Sequence, residues 1–453
     1  MKKERPRDLA LKTLKRLTSE PRYRGNYLDD LFKSHPYLDI RDRALVSQLV
    51  QGVMRWKLRL DWVIDRFTDF PARKIDPYVQ NILRLAVFQI LFLDRIPESA
   101  AVNEAVSQAG SSKRTSHTIP FVNAVLRNIC RQKDRIPFPD KEKDRLRFLT
   151  TYYSYPEWLV KKWIQELGSG SAEALLSAQN SFPDPNIRTN TMRITRDGLL
   201  DDLRKDGIEG EPLPYAPEGI VLKNFRGRMS TLSAFRRGLF QVQYQAAQIT
   251  SHLLAPRSGE SVLDVCAGFG GKSTHMAELM RGKGHVFALD INSRRLVSLD
   301  HNARRLGIET VKPLSADASR TLKSLFRTKF DRIMVDAPCS GLGVISRHPD
   351  GKWNRNEEDI LRLAVLQKAM MDNAASLLRP GGRMLYVTCT LSRGENEGVV
   401  KDFLKGRKDM FIEDLREHVP GWGRDLINNR GFLKTLPHVH HMDGFFAALL
   451  TKR

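Results

Sequence analysis

Four cysteines occur among the 453 residues, Cys130, Cys266, Cys339 and Cys389, and two of them stand where a thiol can do chemistry. The stretch "LYVTCTLSRGENEG" (385–398) sets Cys389 behind an apolar run that reads as a buried strand, and "DAPCSGLGVISRHPDGKW" sets Cys339 behind "FDRIMV" in the same way. Open α/β sheets bind ligands outside the carboxyl ends of their strands, so both thiols are expected to face one pocket. A thiol there is a candidate nucleophile, activated by a neighbouring cation or base. The plainer reading is a small buried hydrophobe, the common fate of free cysteine. Against it, Asp336, Pro338, Ser340 and Gly341 around Cys339 read as a shaped turn and not as core filling.

A cofactor cradle is legible upstream. In "SVLDVCAGFGGKSTHMAELM" (261–280) a strand ends near Asp264, a turn follows with Gly268, Gly270 and Gly271, and a helix begins near Lys272. Glycine lets backbone and helix N-terminus approach a ligand closely. A P-loop would need glycine where Cys266 stands, and a dinucleotide fingerprint begun at Gly268 would need it at Ser273, so neither phosphate motif fits. The next apolar run, "GHVFALD", ends in Asp290, a carboxylate placed to accept from both ribose hydroxyls. Asp317, in "LSADAS", falls at the following strand end, within reach of an adenine amino group. Singly each Asp reads as a helix cap. In succession they indicate adenosine without pyrophosphate, which fits S-adenosylmethionine.

The elements that must position these groups follow from pattern and composition. From Arg5 to about Pro137, apolar residues recur at helical spacing (Leu9, Leu14 and Leu17; Val46, Leu49 and Val53), predicting an all-α domain over 1–140. "IPFPDKEKDR" reads as a linker. Residues 146–235 mix a helix, "PEWLVKKWIQEL", with short strands, "NIRTNTMRI" and "GIVLKN", and read as a small α+β module. Over 238–453 short apolar runs alternate with helical segments, predicting an α/β Rossmann-like domain with a parallel sheet.

Lys and Arg exceed Asp and Glu by 22, giving a sequence pI near 9.9 and a field that attracts a polyanion, with nucleic acid the leading partner. Arg55 and Arg127 are candidate RNA contacts. The N-terminal "MKKERPRDLALKTLKRL" has no signal-peptide apolar core, and the apolar segment "ILRLAVFQILFL" is interrupted and too short to span a bilayer. No membrane partner is expected. No cysteine spacing suggests zinc or a disulfide framework, and "HVHH" (438–441) lacks a companion cluster, so a reducing cytoplasmic setting without metal is expected. A monomer is expected.

"DVCAGFGGKSTHMAELM", the "DAPCSGLGVISRHPD" segment and "VTCTLSRGENEGVV", with "VQYQAAQI" (242–249) and "TLPHVHHMDGFFAALL" (435–450), resemble motifs of the NOL1/NOP2/Sun family of RNA cytosine-C5 methyltransferases. "VSQLVQGVMRWKLRLDWVID", "VNEAV" and "FVNAVLRNI" resemble the NusB-like RNA-binding domain of the Sun-type enzymes that act on bacterial 16S ribosomal RNA. The resemblance implies a class I methyltransferase domain using S-adenosylmethionine, held by Cys266, Ala267, Gly268, Phe269, Gly270, Gly271, Lys272, Asp290, Asp317 and Asp336. It implies catalysis by Cys389 as the nucleophile adding to cytosine C6 and by Cys339 in release, with Asp336 at the base edge and Lys272 beside the cofactor loop or Cys389. Departures from the family pattern stand at Gly268 and Phe269, where small residue and proline are usual, at Ser273 for threonine, at Tyr244 for aspartate and at Val439 for arginine.

Overall fold

A computed structural model of the chain describes residues 4–19, 27–111 and 117–453. It divides into two compact units, Met1–Asn180 with His348–Asn354, and Ser181–Arg347 with Arg355–Arg453.

The first unit is helical throughout its described residues. Helices Pro6–Ser19, Ile40–Asp65, Pro77–Phe92, Glu98–Gly110 and Thr118–Gln132 bury the apolar stripes that the spacing predicts, among them Leu9, Leu14, Val46, Leu49 and Val53. Asp39 and Asp76 cap two of these helices, their carboxylates accepting free amide N–H groups of the first turn. Gly52 lets two helices close, because a Cβ there would lie 2.0 Å from the Phe88 ring.

The segment His348–Asn354 belongs to this unit although it follows the Cys339 turn in sequence. Lys352 is fully buried; its Nζ donates to the Arg55 carbonyl at 2.7 Å and lies 3.8 Å from the Tyr155 ring centroid. Trp353 Nε1 donates to the Met54 carbonyl. Arg55 is itself fully buried and donates to Gln179 O at 3.2 Å. This overturns the expectation that Arg55 touches RNA: a guanidinium inside the unit cannot meet a phosphate. Arg127 stays exposed.

The second unit carries two sheets. In chain order its strands are β1 (Asn186–Thr189), β2 (Gly210–Pro212), β3 (Gly219–Leu222), β4 (Phe240–Val242), β5 (Ser261–Asp264), β6 (His285–Asp290), β7 (Val311–Ser315), β8 (Phe330–Asp336), β9 (Leu378–Thr388), β10 (Met410–Glu413), β11 (Leu433–Lys434) and β12 (Phe446–Lys452). The small sheet has the order β2-β3-β1-β4, antiparallel throughout, with Leu199 and Leu203 of a helix in its core.

The compact units do not follow the expected divisions at 140, 146, 235 and 238. Helices Arg145–Tyr152, Glu157–Leu167 and Ser169–Ala178 belong to the first unit. Strand β4 pairs with β1 through Ile187↔Val242 and Thr189↔Phe240, so the small sheet takes residues from beyond 238. Pairing partners far apart in sequence carry no local signal, so pattern alone does not show which segments share a sheet.

The large sheet runs β10-β12-β9-β8-β5-β6-β7. Strands β5 to β9 are parallel, as their alternation with helices predicts, and β12 is antiparallel to β9. The chain order reverses at β5, flanked by β6 and β8, and this leaves a crevice at the carboxyl ends. Register aligns those ends: Asp264 sits opposite Ala288 and Met334, and Asp336 opposite Val387.

Candidate active site

The crevice collects the residues picked out from the sequence. Cys339, three residues past the end of β8, and Cys389, one past the end of β9, bring their sulfurs to 3.3 Å. Lys272, in the first turn of the helix Gly271–Leu279, donates to Asp336 Oδ2 at 2.6 Å. Burial opposes the charge on Lys272, but Asp336 outweighs it and raises the ammonium pKa, with Asp264 and Cys389 adding to the effect. A permanent cation therefore stands within electrostatic reach of Cys389. A second is Arg347, whose burial is outweighed by its ion pair with Asp443, 2.7 Å between Nη2 and Oδ2. Its guanidinium lies 4.0 Å from the Tyr244 ring centroid, so the tyrosine that departs from the family pattern is the platform under this arginine.

Cys339 has its pKa pushed well above the ordinary thiol value, first by its hydrogen bond with Cys389, then by burial and by the charges of Cys389 and Glu395. The 3.3 Å contact between the two sulfurs is a hydrogen bond in which either thiol can be the donor.

A buried network holds the two cysteine turns together. Glu395 is fully buried; Oε1 accepts from Ser340 N at 2.7 Å and Gln367 Nε2 at 3.1 Å, and Oε2 accepts from Ser340 Oγ at 2.5 Å. Burial raises the Glu395 pKa against the pull of those bonds. Ser340 Oγ and Thr390 Oγ1 lie 2.8 Å apart, so the residues following each cysteine are bonded to each other and to one carboxyl. Gly343 N–H donates to the Cys389 carbonyl at 3.0 Å, and Gly444 N–H to the Gly343 carbonyl at 2.8 Å. Sequence reasoning singles out none of Glu395, Arg347, Asp443 or Gly343. The string "RGENEG" holds two acids, and only the fold decides which of them turns inward.

On the cofactor side, Asp290 Oδ2 accepts from Gly268 N–H at 2.9 Å and Oδ1 from Asn292 N–H at 2.7 Å, tying the glycine turn to the end of β6. Gly270 needs to be glycine: at φ +81° its Cβ would lie 2.4 Å from Leu299. At Gly268, φ +56°, a Cβ would meet nothing within 4 Å, so this side of the turn is open. An open glycine face beside an inward carboxylate fits a nucleoside cofactor. Phe269 is exposed, with the Arg295 guanidinium 5.8 Å from its ring centroid.

Two of the expected cofactor residues stand apart. Cys266 turns its sulfur to Met370 Sδ at 3.8 Å and packs against the core beside Leu263 and Val265, so only its backbone can take part. Asp317 Oδ1 accepts from Ser319 N and Oγ at 2.9 and 2.6 Å, a local turn that leaves its other oxygen facing Arg320.

An eight-stranded mixed sheet, β11 pairing β12 beside the main order, with a glycine turn at β5 and cysteines at the β8 and β9 ends defines an α/β methyltransferase domain, here joined to a helical unit and a small antiparallel sheet. Residues 251–451 match the family described as 16S rRNA methyltransferase RsmB/F, 4–131 the NusB family, and 155–227 the ferredoxin-like domain of RsmF/B-like methyltransferases. The chain is 36% identical to the probable ribosomal RNA small subunit methyltransferase B of Bacillus subtilis (strain 168), over 100% of both chains. It is 33% identical to the corresponding Synechocystis protein, over 98% of this chain and 99% of that one. Among solved structures, PH0851 superposes with a TM-score of 0.81 at 28% identity over 99% of both chains. NSun6 from Pyrococcus horikoshii, solved with SFG, an analogue of S-adenosylmethionine, does so with 0.58 at 26% identity over 66% of this chain and 99% of that one. The chain belongs to the RsmB/F family of methyltransferases.

Proposed function

We propose that this enzyme methylates C5 of a cytosine in small-subunit ribosomal RNA, with S-adenosylmethionine as methyl donor and a covalent Cys389–C6 adduct as intermediate. The observation that carries the reading is the pair of sulfurs 3.3 Å apart beside the Lys272–Asp336 ion pair. C5 of cytosine is a weak nucleophile. Addition of the Cys389 thiolate to C6 pushes electron density onto C5, which then accepts a methyl group. A base, solvent water in the crevice, takes the C5 proton, the C–H electron pair re-forms the C5–C6 double bond, and the C6–S bond breaks to return Cys389 as thiolate. Cys339 assists that release. Asp336 meets the N3/N4 edge of the base and stabilises the charge that develops there. Asp290, Gly268 and the neighbouring turn, with Asp317 at its margin, hold the cofactor, which supplies an electrophilic methyl group.

RNA is met by the basic surface, so affinity falls with salt, and the target base must be unstacked to enter the crevice. The modules over 1–140 and 146–235 orient the RNA, the 238–453 domain performs the transfer, and the enzyme works as a cytoplasmic monomer. No described helix is long and apolar enough to cross a membrane.

The test is transfer of labelled methyl from S-adenosylmethionine to unmodified small-subunit ribosomal RNA, followed by nucleoside mass analysis. 5-Methylcytidine is the expected product. Saturable cofactor binding without methylation of that RNA would overturn the ribosomal assignment and point to transfer RNA. Absence of cofactor binding as well would indicate an RNA-binding assembly factor.

A further inference from the structure

A histidine and its neighbours away from the cysteine pair are left with unused chemistry. His275 lies in the helix Gly271–Leu279 and is 1% exposed, yet neither ring nitrogen has a hydrogen-bond partner. Burying a polar nitrogen without a partner costs about 1–3 kcal/mol, so such a group calls for an explanation. Its Nε2 faces Glu218 Oε2 at 3.8 Å, and the same oxygen is 2.9 Å from His252 Nε2. One donor atom from each of the three residues lies within 4.8 Å of the other two.

We propose that Glu218, His252 and His275 form a binding site for a divalent transition-metal ion of the zinc type. Two imidazoles and one carboxylate are a donor set that zinc takes at roughly 2.0–2.2 Å, leaving a fourth position for water. Donor atoms a little over 3 Å apart surround such an ion, and the observed separations need only small side-chain rotations to reach that spacing. A metal between the rings would take up the unpartnered His275 nitrogen.

The electrostatics agree. Burial, and then Arg188 and His252, hold His275 well below its ordinary pKa, so it presents a neutral ligand. Burial opposes the charge on Glu218, but its bond with His252 outweighs this and lowers its pKa, so it stays a carboxylate. The nearby cation, Arg188, is matched by Glu278 at 2.8 Å and also favours the ionised form of Glu218.

The three donors come from separate elements: the turn entering β3, the helix Gln245–Leu254 and the helix Gly271–Leu279. An ion there would clasp the small sheet to two helices of the methyltransferase core, and its effect is on stability. None of the three donors bonds to the cysteine pair or to the Lys272–Asp336 pair.

The experiment uses the full chain without an affinity tag, stripped with chelator and titrated with ZnCl2 alone by calorimetry, with thermal unfolding followed in parallel. A background carrying Cys339→Ser and Cys389→Ser removes the alternative thiol ligands. The expected result is one equivalent bound, a raised Tm, and a four-coordinate visible spectrum with Co²⁺. Glu218→Gln and His252→Gln, at partly exposed positions that spare the buried His275, should each weaken binding by about tenfold or more. Uptake unchanged in both variants, uptake that disappears with the two cysteines, or no stoichiometric uptake by the folded protein would each overturn the site.

Discussion

Cys339 and Cys389 hold their sulfurs 3.3 Å apart although fifty residues separate them, and that contact and burial push the Cys339 thiol pKa up. That proximity lets both thiols reach one base, and the proposed mechanism has Cys389 attack and Cys339 release. Cys389→Ala should therefore abolish methyl transfer and leave no adduct. Cys339→Ala should retain attack and stall, accumulating a covalent RNA complex that survives denaturing electrophoresis. A stalled complex in Cys389→Ala instead would reverse the assignment.

Glu395 is the carboxyl that joins the two turns. Glu395→Ala leaves Ser340 N–H, Ser340 Oγ and Gln367 Nε2 without their acceptor in a buried place, a loss of about 3 kcal/mol. Urea unfolding should report that loss. Turnover should fall while cofactor affinity, measured by calorimetry, changes little, because the glycine turn does not touch this network.

Gly343 has no room for a methyl group. A Cβ there would stand 1.9 Å from the Gly444 carbonyl oxygen and 2.8 Å from that of Cys389. Gly343→Ala must push the Cys389 turn aside, and displacement of an attacking group by about 1 Å costs up to about a hundredfold in rate. Gly351→Ala, where a Cβ meets nothing within 4 Å, is the control that should leave single-turnover rates close to wild type.

Asp264 makes stability depend on pH. The carboxyl is buried at the end of β5, accepts from Ser273 Oγ at 2.6 Å, and has no partner for Oδ1. Burial foremost pushes its pKa up to about 7 from an ordinary 3.8. Between those values the folded chain holds a proton that the unfolded chain releases. The stabilisation is therefore fully present below the lower value and is lost as pH rises through the upper, with a slope of at most about 1.4 kcal/mol per pH unit. Denaturant unfolding across this window should show that decline in the wild type and a flatter profile in Asp264→Asn; equal slopes would refute the assignment.

The helical first unit, the parallel sheet and the glycine turn were all legible in the chain, because each rests on local rules. Apolar spacing marks a buried face, and a strand followed by glycines and a helix marks a ligand turn. The positions of Cys339, Cys389, Asp290 and Lys272 at element ends were legible for the same reason, while their roles in the reaction belong to the proposed function. What needed the tertiary structure was every relationship between distant segments. The β1–β4 pairing draws residues 240–242 into the small sheet, and the burial of Arg55 removes it from the RNA surface. Cys266 and Asp317 turned to core and local partners. Glu395 and not Glu397 became the carboxyl under Ser340, and Tyr244 became the platform for Arg347. Periodicity specifies which face of an element is buried, but register, crossover and packing decide which side chains meet across the fold. Those contacts set protonation and reactivity.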